Sequence, residues 1–229
     1  FTAPITIDGT ASPKSRMRFY NVSVDGNRAA QTNIVSPTED GGRHCWRILG
    51  RVSDLLLDRC EGMYGAGDGI ELFSNNANSK TNDADYCFSN IVVLNSRFNW
   101  NRRHGGSADS LTGVRFINTE FKHNGKDLNT TDPQTTGTRG ARTSSNGGNL
   151  YGRPFDIEGY GIGTGWDGIW FERCDLRDNM SGFLVHEAST DPTNLNFVPR
   201  ANLFLDDCLL NNPSATGLPF NTLSLIHIS

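Results

Sequence analysis

The chain has 229 residues, enough for one domain with a core of its own. Its formal net charge of −4 gives no general basic footprint for nucleic acid, and no run of about 18 apolar residues offers a membrane-crossing helix. Glycine is abundant at 25 residues and charged residues make up 20%, a balance that points to many tight turns rather than to disorder.

The start, FTAPITIDGT, has no initiator Met and no signal-peptide pattern, so the chain reads as a mature piece or a fragment truncated at both ends. From Met17 onward a repeat emerges: MRFYNVSVDGN at Met17, LLLDRCEGMYG at Leu55, IVVLNSRFNWN at Ile91, VRFINTEFKHN at Val114, IWFERCDLRDN at Ile169 and LFLDDCLLNNP at Leu203. The first and third positions are apolar in all six copies. The sixth is small or a thiol (Val22, Cys60, Ser96, Thr119, Cys174, Cys208), and the eighth is apolar except at Gly62. The eleventh is asparagine at Asn27, Asn101, Asn124 and Asn179, with Asn212 one place early. Apolar and polar residues in alternation predict strands with one buried face.

A third short strand follows the asparagine: GIEL from Gly69, GSAD from Gly106, FDIE from Phe155 and FLVH from Phe183. The tightest spacing, from Ile91 to Val114, is 23 residues, about one three-sided turn of a parallel β-helix. The expected fold is therefore all-β, a right-handed parallel β-helix solenoid of about six rungs over residues 1–222, with one long inserted loop at 126–153. Equivalent residues then stack as ladders, and asparagine suits such a ladder because its amide both donates and accepts. A β-sandwich also explains short strands, but not an Asn and a Cys that recur at fixed places. The five cysteines (Cys45, Cys60, Cys87, Cys174 and Cys208) include no CxxC pair, so a zinc site is not expected. The final LSLIHIS, residues 223–229, reads like a translated sequencing adapter and is set aside.

Two motifs stand out: NRRHGG from Asn101 and RPFDIEGYG from Arg153. With the repeat, they resemble the pectate-lyase-like superfamily, in particular a bacterial and phage group with an N-R-R-x-G turn followed by a D-I-E-type strand. The repeat is more distantly similar to that of alginate C5-epimerases, whose N-D-R-H-G-F turn has an acidic residue where Arg102 stands. Polygalacturonase signatures and the D-H and R-x-P-x-x-R set of pectate lyases are missing. The resemblance implies a polysaccharide as partner and an extracellular, cell-surface or phage-virion location. The expected activity is that of a lyase or glycosidase; a glycan-binding tailspike domain, trimeric in that case, and a non-catalytic adhesion scaffold are the alternatives.

Alternation around Ile70, Leu72, Phe155, Ile157, Phe183 and Val185 turns their neighbours outward. One outward row holds Glu71, Ser107, Asp156 and Leu184; the next holds Phe73, Asp109, Glu158 and His186. Asp109, Asp156 and Glu158 are the candidate catalytic residues, because carboxylates on adjacent rungs lie about 5 Å apart, the spacing of a retaining glycosidase pair. Arg102, Arg103, His104, Glu71 and His186 are the candidate substrate contacts; an arginine or Ca²⁺ neutralising a uronate would suit lyase chemistry. No resident metal or cofactor is otherwise expected. Against these stand plainer readings: a solvated, salt-bridged corner for the arginines and histidine, and ordinary surface for the acids. Trp100, Tyr160, Trp166 and Trp170 are either flat faces for sugar rings or packing residues.

Overall fold

The computed structural model describes residues 3–27, 43–73, 88–108, 111–125, 152–159, 167–179, 184–187, 201–210 and 226–227. Thirteen strands and no helix occur among them: β1 Ile5–Tyr20, β2 Ser23–Asp25, β3 Trp46–Asp58, β4 Glu61–Met63, β5 Ile70–Phe73, β6 Phe88–Leu94, β7 Gly106–Ala108, β8 Leu111–Ile117, β9 Phe155–Gly159, β10 Asp167–Glu172, β11 Leu184–Glu187, β12 Ala201–Asp206 and β13 Ile226–His227. Every pairing is parallel.

The pairings fall into three columns. The six sequence segments stack with their first positions aligned, so that Met17, Leu55, Ile91, Val114, Ile169 and Leu203 are successive partners. A second column runs from the first halves of β1 and β3 through β5, β7 and β9 to β11. A third joins β2 to β4 and continues as single bridges through Arg97, Glu120, Asp175 and Leu209. The result is a curled, all-parallel, solenoid-like sheet, and the antiparallel pairing of a sandwich is absent among the described residues. Ile226 and His227 add a last short strand beside Leu203 and Phe204. The rest of the set-aside tail, and nearly all of the loop at 126–153, lie outside the described residues.

Local chemistry explains the bends. Non-glycine residues with left-handed φ recur at fixed places: at the fifth position of each copy (Asn21, Arg59, Asn95, Asn118, Arg173 and Asp207) and at the tenth (Tyr64, Trp100, His123 and Asp178). Just before the first five segments stand Arg16, Asp54 and Asn90, then Gly113 and Gly168, again with positive φ. Such backbone costs an L-residue about 1–2 kcal/mol, so its persistence in column after column shows that stacking imposes it.

The interior is a stack of equivalent side chains. Phe116 stacks on Phe171 at 4.9 Å between ring centroids and Phe98 on Phe121 at 5.4 Å, and Phe155 packs edge-on or tilted against three of them. Each buried phenylalanine contributes about 1.5–3 kcal/mol by leaving water. The sixth-position column does more than fill space. The Ser96 hydroxyl donates to Leu94 O, Thr119 to Ile117 O, and the thiols of Cys60, Cys174 and Cys208 to Asp58 O, Glu172 O and Asp206 O. From Cys60 onward the column therefore holds a small side chain that carries a hydrogen to donate, with Val22 of the first copy the exception.

The asparagine column is a hydrogen-bonded ladder, as the sequence suggested. The backbone N–H groups of Gly65, Asn101 and Asn124 donate to the Oδ1 atoms of Asn101, Asn124 and Asn179 at 2.8, 3.0 and 3.0 Å. The Asn101 and Asn124 amides also donate along the ladder and to Gly62 O and Phe98 O. Asn27 departs from it: that residue is exposed and turns back on Asp25. The first glycine of the NRRHGG turn follows from the ladder, since a Cβ on Gly105 would meet Asn124 Nδ2 at 2.7 Å and Pro154 O at 2.6 Å; the second follows from the core, since a Cβ on Gly106 would meet the Phe155 ring.

Candidate functional site

Two polar regions run along the stack. The first lies where the sequence placed the site. Trp46, Ile70, Gly106 and Phe155 are aligned in the second column, and four polar residues stand two places before them: His44, Asp68, His104 and Arg153. One residue after the same positions stand Arg47, Glu71, Ser107 and Asp156; Glu71, Ser107 and Asp156 continue to Leu184 in the register expected of the outward row, and Arg47 extends it by one copy.

The expectation that this row faces solvent is corrected by the burial. Ser107 is 4% exposed, Asp156 3%, His104 1% and Arg102 8%, and Asp68 is wholly buried. The two rows close over each other. Three of the four corner residues reach the row residue of the next copy: His44 Nε2 to Glu71 Oε1 at 3.2 Å, Asp68 Oδ2 to the Ser107 hydroxyl at 2.6 Å, and His104 Nε2 to Asp156 Oδ2 at 3.3 Å. Backbone amides tie the corner residues together. Asp68 N donates to His44 Nδ1, His104 N to Asp68 Oδ1 and Arg153 N to His104 Nδ1. Arginines balance the acids: Arg47 on Glu71 at 2.6 Å, Arg103 on Asp68 at 3.5 Å and Arg153 on Asp156 at 3.1 Å.

The titration directions agree. Burial alone would raise Asp68, but the Arg103 charge and the His44 hydrogen bond hold it far below the usual carboxylate range. Burial drives His104 well below the ordinary imidazole value, which keeps it neutral. At His44 burial also opposes charge, yet the hydrogen bond to Asp68 and the charges of Asp68 and Glu71 raise it. Arg102 belongs to the turn: its Nε donates to Ala66 O at 2.7 Å. Among the expected site residues, then, Arg102, Arg103, His104, Glu71 and Asp156 come together at one largely covered corner, where Glu71 and Asp156 are each paired with an arginine and a histidine. Glu158 and His186 are register partners in β9 and β11, but their side chains lie outside the described residues, as does all of Asp109.

His44, Asp68 and Arg153 escaped the sequence reading. The signal was there: HCWRI, DGIEL, HGGSA and RPFDI align at the same offset, but the first of these strands was not recognised.

The second region is open. A groove of about 880 Å³ follows the corner between the fifth-position column and the third column. Its walls are Asn21, Arg59, Asn95, Asn118 and Arg173 on one side and Ser23, Glu61, Arg97, Glu120 and Asp175 on the other. Arg97 pairs with Glu61, which also accepts from Ser23. Asn99 donates to Glu120 at 3.0 Å, and Asn118 to Asn95 at 2.8 Å. Arg177 forks onto Asp175, with Lys122 at 3.1 Å. Hydrogen bonding from Arg177 first, and then Lys122, pulls Asp175 down to about 2; Ser23 and Arg97 lower Glu61. Trp100 does not face this groove as a free plane but stacks on His123 at 4.4 Å, and Trp170 stacks on Phe204 at 5.2 Å. Tyr160 and Trp166 lie outside the described residues. No group of three potential metal ligands is assembled among the described residues.

Compared with protein-family models, curated proteins and solved structures, the chain matches none.

Proposed function

We propose that the chain is a right-handed parallel β-helix of about six rungs, of the pectate-lyase-like kind, and that it recognises an extracellular or cell-surface polysaccharide lying lengthwise in the groove. The observation that carries this reading is the repetition of the groove itself. Equivalent polar positions recur at each copy, at the roughly 4.8 Å spacing of paired strands. A polymer with a short repeat of its own meets successive equivalent donors and acceptors there. The groove carboxylates suit acceptance of sugar hydroxyls: Asp175 and Glu61 are pushed down, whereas a general acid must hold a proton near neutral pH.

Cleavage is the second reading. It is favoured by Glu120 and Asp175, bridged on adjacent copies at the open groove, where a strand spacing of about 4.8 Å sets the two backbones close to the separation of a retaining carboxylate pair. The test is a panel of acidic and neutral polysaccharides in affinity electrophoresis, with reducing-sugar release and unsaturated-uronate absorbance followed in parallel. Retention on at least one polymer without product is the expected result. Product formation abolished by Glu120→Gln moves the assignment to cleavage, and retention by no polymer removes both.

A further inference from the structure

Cys174 and Cys208 occupy the same sixth-position column in neighbouring copies. The register brackets them on both sides: Glu172 pairs with Asp206 just before, and Asp175 bridges Leu209 just after, with Leu209 N donating to Cys174 O at 2.9 Å. Both sulfurs point into the same interior column, at 3.3 Å from Phe116 O and 3.1 Å from Phe171 O, carbonyls that are equivalent in the two copies. Stacked residues in paired parallel strands have Cα atoms about 4.8 Å apart, inside the 4.4–6.8 Å range of disulfides. The neighbouring places in the column hold Thr119 before Cys174 and Ser96 after Cys60, so among the described residues these are the two thiols that meet in adjacent copies. Cys174 is fully covered, whereas Cys208 is half-buried, which leaves one sulfur within reach of a small reagent.

We propose that Cys174 and Cys208 are a latent disulfide that closes in the presence of a disulfide oxidant such as oxidised glutathione. The Cys208 thiolate attacks one sulfur of the oxidant, forming a mixed disulfide and releasing one glutathione thiolate. Cys174 then loses its proton and attacks Cys208 Sγ, the Cys174–Cys208 bond forms, and the second glutathione leaves as thiolate. Two protein thiols are oxidised, one oxidant disulfide is reduced, and two protons are taken up by the departing thiolates. The hydrogen bond between the two thiols shifts Cys208 downward and, with burial, Cys174 upward, so Cys208 is the first attacker and Cys174 ionises only once that bond is lost to the mixed disulfide.

The protein as isolated is incubated with oxidised glutathione, then denatured for thiol counting and tryptic mass spectrometry. The thiol count should fall from five to three, with a cross-linked pair joining Cys174–Arg177 to the peptide that begins at Ala201. The melting temperature should rise by on the order of 10 °C, because the bond closes a loop of more than thirty residues. Cys208→Ser should lose no thiols on the same treatment, and Cys174→Ser should stop at one bound glutathione on Cys208. Both variants retain the column's hydrogen bonding, since Ser96 already fills an equivalent place. An unchanged thiol count in the folded wild type, or a cross-link that involves another cysteine, overturns the proposal.

Discussion

Asp68 and His104 hold successive turns of the chain together: the Asp68 carboxylate accepts the His104 backbone amide at 3.0 Å, and its other oxygen takes the Ser107 hydroxyl at 2.6 Å. Arg103 stands against the same oxygen at 3.5 Å. A carboxylate with no exposure survives only because donors surround it. Asp68→Ala should therefore destabilise by about 3–5 kcal/mol, since it strands two buried donors and the partly covered Arg103 guanidinium. Asp68→Asn, which keeps an acceptor, should cost less. Urea denaturation checks both, and near-equal stabilities for wild type and Asp68→Ala would refute this account of the corner.

Two histidines in that corner should oppose each other in pH dependence. His104 has its pKa lowered on folding, so its contribution is complete above the unfolded imidazole value of about 6.5 and is lost as pH falls below it. His44 has its pKa raised, so its contribution is present below that value and is lost as pH rises through the folded one. Stability measured from pH 5 to 8 should fall less toward acid in His104→Gln than in wild type, and more in His44→Gln. Asp68 adds a further loss below about pH 4, as its folded pKa is depressed.

The asparagine ladder should be worth more than any groove ion pair. Asn124→Ala removes the acceptor for the Asn101 amide and side chain and the donor to Phe98 O and Asn179, all buried, for about 2–4 kcal/mol. Arg97→Ala breaks a pair whose arginine is half exposed and should change stability by less than about 1 kcal/mol. The same Arg97→Ala should nevertheless weaken polysaccharide binding in calorimetry by at least tenfold. Unchanged affinity would place the polymer elsewhere.

The sequence carried the repeat because burial writes itself as alternation: Leu55 and Leu57, or Val114 and Phe116, face inward as their spacing requires. Alternation says which side of a sheet a residue takes, but not what lies over it. Asp156 takes the outer side in its expected register, yet Arg153 and His104 cover it, and no local pattern announces that cover. The fifth-position bends were hidden for a similar reason. Arg59 and Arg173 have no turn preference of their own, and it is the stack that holds them at φ 54° and 49°. The groove escaped notice because it is made by those bends.

The most direct test of the central claim is amide hydrogen exchange with and without a polysaccharide retained in the affinity panel. Binding in the groove predicts added protection at residues 21–23, 59–61, 95–97, 118–120 and 173–175, with β5, β7 and β9 unchanged. Protection centred on Glu71, Ser107 and Asp156 instead, with the groove amides exchanging as before, would contradict it.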